Sequence, residues 1–230
     1  MSAQAAYLIS GGPSSKSELV DDLRAALADC KKPQPSVAYI GTPNGDSKVF
    51  FGFVKRALRK AGAGNVQLAP LSGGHADIDA AKRMLETADA VFLSGGEVED
   101  GMLGLAAGGL DAFLAGLYHS GKLFIGMSAG CIMMGQQWVH WDVEGDDSTA
   151  SLFPCLGLVP MLFDAHGEKE DWKELKCALR LLGPGAQGFG LTDGGFFSAD
   201  SAGNLKRYRN APLVLHNIGE AIEQEAEGYE

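Results

Sequence analysis

The sequence predicts an α/β fold of three layers: a mainly parallel, twisted sheet with helices on both faces and short antiparallel strands at an edge near the C-terminus. Three observations carry this. Apolar runs of strand length alternate with helical periodicity five times at short spacing, which is the pattern of βαβ units. The strand-like runs end in glycine-rich turns. After residue 187 the pattern changes to short runs alternating with glycine, too closely spaced for crossover helices.

Taken in order, Ala6-Tyr7-Leu8-Ile9-Ser10 is a strand closed by Gly11-Gly12-Pro13. Ser17 or its neighbours cap a helix to about Ala28, with Leu19, Leu23, Ala26 and Leu27 on one face. Ser36 to Ile40 is the second strand, closed by Gly41 to Gly45, and Phe50, Phe51, Val54, Leu58 and Ala61 repeat with helical period before Gly62 and Gly64. Val66-Gln67-Leu68 is a third strand and Ile78 to Leu85 a third helix. Asp89 to Leu93 is a fourth strand ending in Ser94-Gly95-Gly96-Glu97, and one helix is expected from about Met102 to Tyr118. Leu123 to Met127 makes the fifth strand. Residues 136–150 are polar and acidic and read as a loop over the sheet's rim, partly packed through Trp138 and Trp141. Leu156 to Phe163 reads as strand, Glu170 to Leu182 as helix, and 188–197, 205–208 and 213–215 as edge strands. The tail 220–230 reads as a frayed acidic terminus. With no repeat or linker in view, the 230 residues are expected to form a single domain.

Composition narrows the function. A net charge of −10 argues against a nucleic-acid surface and against adhesion to anionic membranes. No apolar run reaches membrane-spanning length, and Met1 to Tyr7 has no basic region of a signal peptide, so a cytoplasmic protein is expected. Cys30, Cys131, Cys155 and Cys177 are scattered without a C-x-x-C spacing, as reduced packing thiols would be. No metal or nucleotide motif is present, and no cofactor is expected.

The chemistry centres on Gly126-Met127-Ser128-Ala129-Gly130. An apolar strand running into Gly-x-Ser-x-Gly and then into a small-residue helix is the form of a nucleophile elbow. Ser128 would sit in a strained turn, with the Ala129 amide directed at a developing oxyanion. A serine nucleophile needs a base and an orienting carboxylate. Five histidines are available: His75, His119, His140, His166 and His216. His119 suits a helix C-terminus and His140 the polar loop. His166 and His216 each follow a strand directly, and spacing alone does not separate them.

Three blocks of the chain resemble peptidase family S51, the aspartyl dipeptidase (peptidase E) and cyanophycinase group. They are Val91 to Glu97, like the family's strand into Gly-Gly-Asn; the Gly-x-Ser-Ala-Gly elbow at 126–130; and Leu156 to His166, like the segment that delivers its catalytic histidine. The resemblance implies a flavodoxin-like fold related to class I glutamine amidotransferases. It implies Ser128 as nucleophile, His166 as base, Asp193 of Gly190-Leu191-Thr192-Asp193-Gly194 in place of the usual Glu, and an oxyanion hole from Gly96 and Ala129. Serine where an amidotransferase carries cysteine argues against glutamine hydrolysis. Glu97 stands where the family has Asn, as a candidate substrate-binding residue: its charge would repel an acidic substrate or hold a free amino group. Where the family has a basic residue after the histidine, Gly167 to Asp171 is mostly acidic.

The expected function is therefore a serine hydrolase cleaving a small peptide or isopeptide bond through an acyl-enzyme. A homodimer is compatible with the sequence. Two alternatives are an esterase of the α/β-hydrolase type using Ser128, Asp193 and His216, and a non-catalytic binding protein on the same fold.

Overall fold

In the computed structural model, which describes residues 5–11 and 16–225, the centre is a seven-stranded sheet in the order β11-β10-β1-β5-β4-β2-β3. Its parallel strands are β1 (Ala5–Ile9), β2 (Val37–Ile40), β3 (Val66–Leu68), β4 (Ala90–Leu93) and β5 (Leu123–Met127). Both faces of such strands are covered, so their residues are nearly all buried. Side chains alternate between two cores. Tyr7, Ile9, Val37, Tyr39, Phe92, Ile125 and Met127 face helices α1 (Lys16–Ala28) and α2 (Lys48–Ala61). Leu8, Ile40, Val91, Leu93 and Phe124 face the opposite layer.

That layer holds α3 (Ile78–Thr87), α4 (Val98–Ala107), α5 (Asp111–His119) and α6 (Ala129–Met134). The single helix expected from Met102 to Tyr118 is two, meeting at 93°. Gly108-Gly109 breaks it, Gly109 having a φ of 59°. Among the described residues no single helix is long and apolar enough to cross a membrane. The Ser17 expected near the first helix cap is its second residue, and Gly12 lies outside the described residues.

The second half of the chain departs most from expectation. The acidic stretch 136–150 is largely a β-hairpin. Its strand β6 (Gln137–Trp141) pairs antiparallel with β7 (Ala150–Pro154), Trp138 opposite Phe153. Trp138 and Val139 point to opposite sides of the strand and are both buried, and this burial overrides the polar composition of the stretch. Residues 156–162, expected as strand, carry no ladder; only β8 (Phe163–Ala165) does, because Val159-Pro160 turns the chain first. Helix α7 is Lys173–Leu182, since Gly167–Glu170 is a separate 3-10 turn.

Two of the late strands, β10 (Phe196–Asp200) and β11 (Leu205–Arg209), do extend the main sheet antiparallel from β1. The others form a second sheet, β13-β12-β9-β8, with β9 (Gln187–Leu191), β12 (Leu213–Asn217) and β13 (Ile222–Gln224). The tail is thus partly strand: Ile222 pairs with Asn217. Residues 226–230 lie outside the described residues. The glycines of β9 have a packing reason. A Cβ on Gly188 would meet Leu175 at 2.7 Å and one on Gly190 would meet Trp172 at 2.6 Å, so α7 and its leading tryptophan lie flush on the strand.

Candidate active site

The site lies where parallel α/β sheets place their ligands, beyond the carboxyl ends of adjacent strands. At the end of β5, Ser128 has φ 52° and ψ −119°, a backbone that L-residues rarely adopt. The turn is held by Ser128 N–H donating to the Ile9 carbonyl at 3.0 Å and Cys131 N–H to the Ser128 carbonyl at 2.8 Å. Two glycines make it sterically feasible. A Cβ at 126 would lie 2.6 Å from the Gly130 carbonyl oxygen, and one at 130 would lie 2.3 Å from that of Leu93. Strand and helix therefore cross at backbone contact. Cys131 is fully buried, its thiol donates to the Ile9 carbonyl, and burial pushes its pKa up; it packs the turn as expected.

The neighbouring loop after β4 closes against the serine. A Cβ on Gly95 would touch Ser128 Cβ at 3.2 Å. Gly96 has φ 141° and passes over Pro43, whose carbonyl would sit 2.1 Å from a Cβ there. Asn44 braces this loop, its amide donating to Ser94 Oγ at 2.7 Å and to the Gly95 carbonyl at 2.8 Å, while Tyr39 Oη and Ser94 Oγ are 2.6 Å apart. The backbone amides of Gly96 and Ala129 have no acceptor among the described residues.

His166 arrives from the second sheet. It follows β8 directly, in the left-handed region with φ 68°. Its Nε2 is 3.1 Å from Ser128 Oγ, and its Nδ1 is 2.5 Å from Asp193 Oδ1. Asp193 sits in the loop between β9 and β10. That loop is tied to the end of β1: buried Ser10 donates to the Thr192 carbonyl at 2.6 Å and accepts from Gly195 N–H at 2.8 Å, and Gly194 N–H donates to the Gly11 carbonyl at 2.7 Å. Glu168 accepts from Asp193 N–H at 2.5 Å, and Asn210 donates to the Asp193 carbonyl at 2.8 Å.

Ser128, Ala129, Gly96 and His166 line a cavity of about 330 Å³. Its far wall is the hairpin, through Trp138, His140 and Trp141, and four carboxylates face it: Glu97, Glu99, Glu144 and Glu174. Glu174, half-buried, has its pKa raised by burial and then by the charges of Glu144, Glu170 and Glu97. His140 Nδ1 lies 2.7 Å from Glu99, which raises the imidazole's pKa. A cavity of about 380 Å³, lined by Gln136, Pro160 and Phe189, involves none of these residues. Among the described residues, no group of three or more His, Cys, Asp or Glu is placed to hold a metal ion.

The structure thus brings together Ser128, His166 and Asp193, with Gly96, Glu97 and Ala129 beside them. It sets His216 apart: that residue lies on β12 of the second sheet, with Nε2 2.8 Å from Glu225. His119 ends α5. Sequence reasoning missed Ser10, Asn44 and Glu168, which hold the site's loops, and Glu174, which lines the cavity. None carries a motif; only a buried serine after a strand and an Asn in a Pro-Asn-Gly turn hint at the first two.

Fold and site define an α/β protein with a strained serine elbow at the carboxyl edge of a parallel sheet. The sequence model of Peptidase family S51 matches residues 6–197, and the chain belongs to that family of peptidases. Its fold is similar to that of a peptidase from an acI-B1 Actinobacterium, with TM-score 0.65, 17% identity and coverage of 99% of this chain and 96% of the other. It is also similar to a putative peptidase E protein from Listeria monocytogenes EGD-e, with TM-score 0.61, 15% identity and coverage of 90% and 100%. No curated protein sequence matches.

Proposed function

We propose that the chain is a serine hydrolase that cleaves a small peptide or isopeptide bond through an acyl-enzyme. The observation that carries this is the hydrogen-bonded chain Ser128 Oγ, His166, Asp193, at 3.1 and 2.5 Å, opening onto the cavity. Ser128 Oγ attacks the substrate carbonyl as His166 Nε2 takes its proton. Asp193 holds the imidazole by Nδ1 and stabilises its charged form. The amides of Gly96 and Ala129 receive the oxyanion. The tetrahedral intermediate expels the amine, which leaves with the proton from His166. Water, deprotonated by the same imidazole, then attacks the acyl-serine; the acid is released and Ser128 regains its proton.

Intact-mass spectrometry after exposure to a fluorophosphonate tests this. One adduct is expected on the wild type and none on Ser128→Ala. His166→Ala should slow labelling by at least about a hundredfold and His216→Ala should not. Labelling that persists in Ser128→Ala, or that depends on His216 instead, would overturn the assignment.

A further inference from the structure

The cavity in front of Ser128 has one-sided electrostatics. Among the described residues no lysine or arginine lines it, whereas Glu97, Glu99, Glu144 and Glu174 do, from three separate elements. Acidic residues at helix N-termini are common for reasons of helix stability alone, and Glu97, Glu99 and Glu174 lie in or next to the first turns of α4 and α7. Two of the three do more than that role requires. Glu97 occupies the N-cap of α4 without making a side-chain capping bond. Glu174 has no hydrogen-bond or ion-pair partner among the described residues and is held half out of water facing three other carboxylates. Glu99 is paired with His140, and Glu174 feels a weaker attraction from Lys173. The Lys173 ammonium lies 5.6 Å from the Trp141 ring centroid, and Lys173 is outside the residues that line the cavity.

Such a wall is unfavourable when empty and becomes favourable around a cation, because each carboxylate gains an attraction and the mutual repulsion falls. A volume of about 330 Å³ matches the small end of ligand pockets, room for one amino-acid residue beside the scissile bond. We propose that this site selects substrates bearing a positive charge next to the bond cleaved, an ammonium or guanidinium held by Glu97 and Glu174, and rejects acidic ones. The inference rests on Ser128 being the nucleophile, since it assigns specificity to the cavity that this residue opens onto.

The test is the rate at which Ser128 is modified by aminoalkylphosphonate diphenyl esters with a basic, neutral or acidic side chain, each with a free or acetylated amine. The basic or free-amine probes should react at least about tenfold faster than the acidic, acetylated one, and their advantage should shrink as salt rises. Comparing free with acetylated amines tells whether the recognised cation is the α-ammonium or the side chain. Glu97→Gln and Glu174→Gln, with folding checked by melting temperature, should each lower the cationic-to-neutral rate ratio several-fold. A fastest acidic probe, or a ratio unmoved by either variant, overturns the proposal. A flat charge series on a serine that fluorophosphonate still labels sinks the specificity alone; a serine that neither reagent modifies sinks the hydrolase reading with it.

Discussion

The serine elbow and the histidine arm are built on different principles. Ser128 is held by backbone: a strand, a turn and a helix in carbonyl contact, with glycines at 126 and 130 where no side chain fits. His166 and Asp193 are held by side chains and loop ends, 36% and 41% exposed, and they depend on Ser10, Glu168 and Asn210 for position. The first region is rigid and local in sequence. The second assembles from residues 10, 166, 193 and 210, which only the tertiary fold brings together. The serine turn can therefore be fixed by one motif, while the His166–Asp193 arm needs the whole chain.

The sharpest way to separate the two regions is Ser128→Gly. Activity should fall by about 10⁴-fold or more, yet the protein should gain about 1 kcal/mol of stability, because glycine adopts φ 52° without strain. Kinetics and urea denaturation on one preparation read both. A loss of stability would mean the turn is not strained. Asp193→Asn probes the arm: kcat should fall about 10³- to 10⁴-fold through loss of the oriented imidazole, with a melting temperature close to wild type because the carboxylate is half-exposed. Equal losses of activity and stability would show that Asp193 is a structural tie and not an orienting group.

The same contrast explains what was legible in the sequence. The parallel sheet could be read because its buried strands are continuous apolar runs, such as Ala90 to Leu93, ended by glycine turns. The elbow could be read because Gly-x-Ser-x-Gly states a backbone geometry. The hairpin at 137–154 could not, since its composition is polar and the pairing of Trp138 with Phe153 is a cross-strand fact. The second sheet was hidden for a related reason: Gly188 and Gly190 serve the contact with Leu175 and Trp172, which composition cannot show. Spacing did not separate His166 from His216; in the fold the first lies 3.1 Å from Ser128 Oγ and the second 2.8 Å from Glu225.

Smaller in effect is a test of backbone contact in the elbow. Gly130→Ala would place a methyl 2.3 Å from the Leu93 carbonyl oxygen, and a rigid helix-on-strand crossing has little room to yield. A loss of about 3 kcal/mol is expected, measured by urea denaturation, with Ser128 labelling reduced in the folded fraction as the turn opens. A near-neutral change would mean that α6 can slide, and the distinction between a backbone-held and a side-chain-held region would weaken.

The arm carries one further device, with the smallest expected effect. Asp164 lies on β8, two residues before His166, and is only 2% exposed. Burial, and after it the charge of Glu174, push its pKa up to about 8, although it accepts a hydrogen bond from Ala165 N–H at 2.6 Å. In the folded protein it therefore keeps a proton that the unfolded chain releases near pH 4. Its contribution to stability is fully present below pH 4 and is lost progressively as pH rises to about 8. Asp164→Asn keeps the shape and the acceptor and removes the titration. The variant should be about 1 to 2 kcal/mol more stable than wild type at pH 8, the difference shrinking towards pH 4. Urea midpoints across this range measure it. Because Asp164 supports the segment that presents His166, the wild-type arm should loosen at high pH before the elbow does, and amide exchange at Ala165 should rise while that at Cys131 stays protected. Parallel exchange at both sites would show that the two regions open as one unit, and the division drawn between them would not hold.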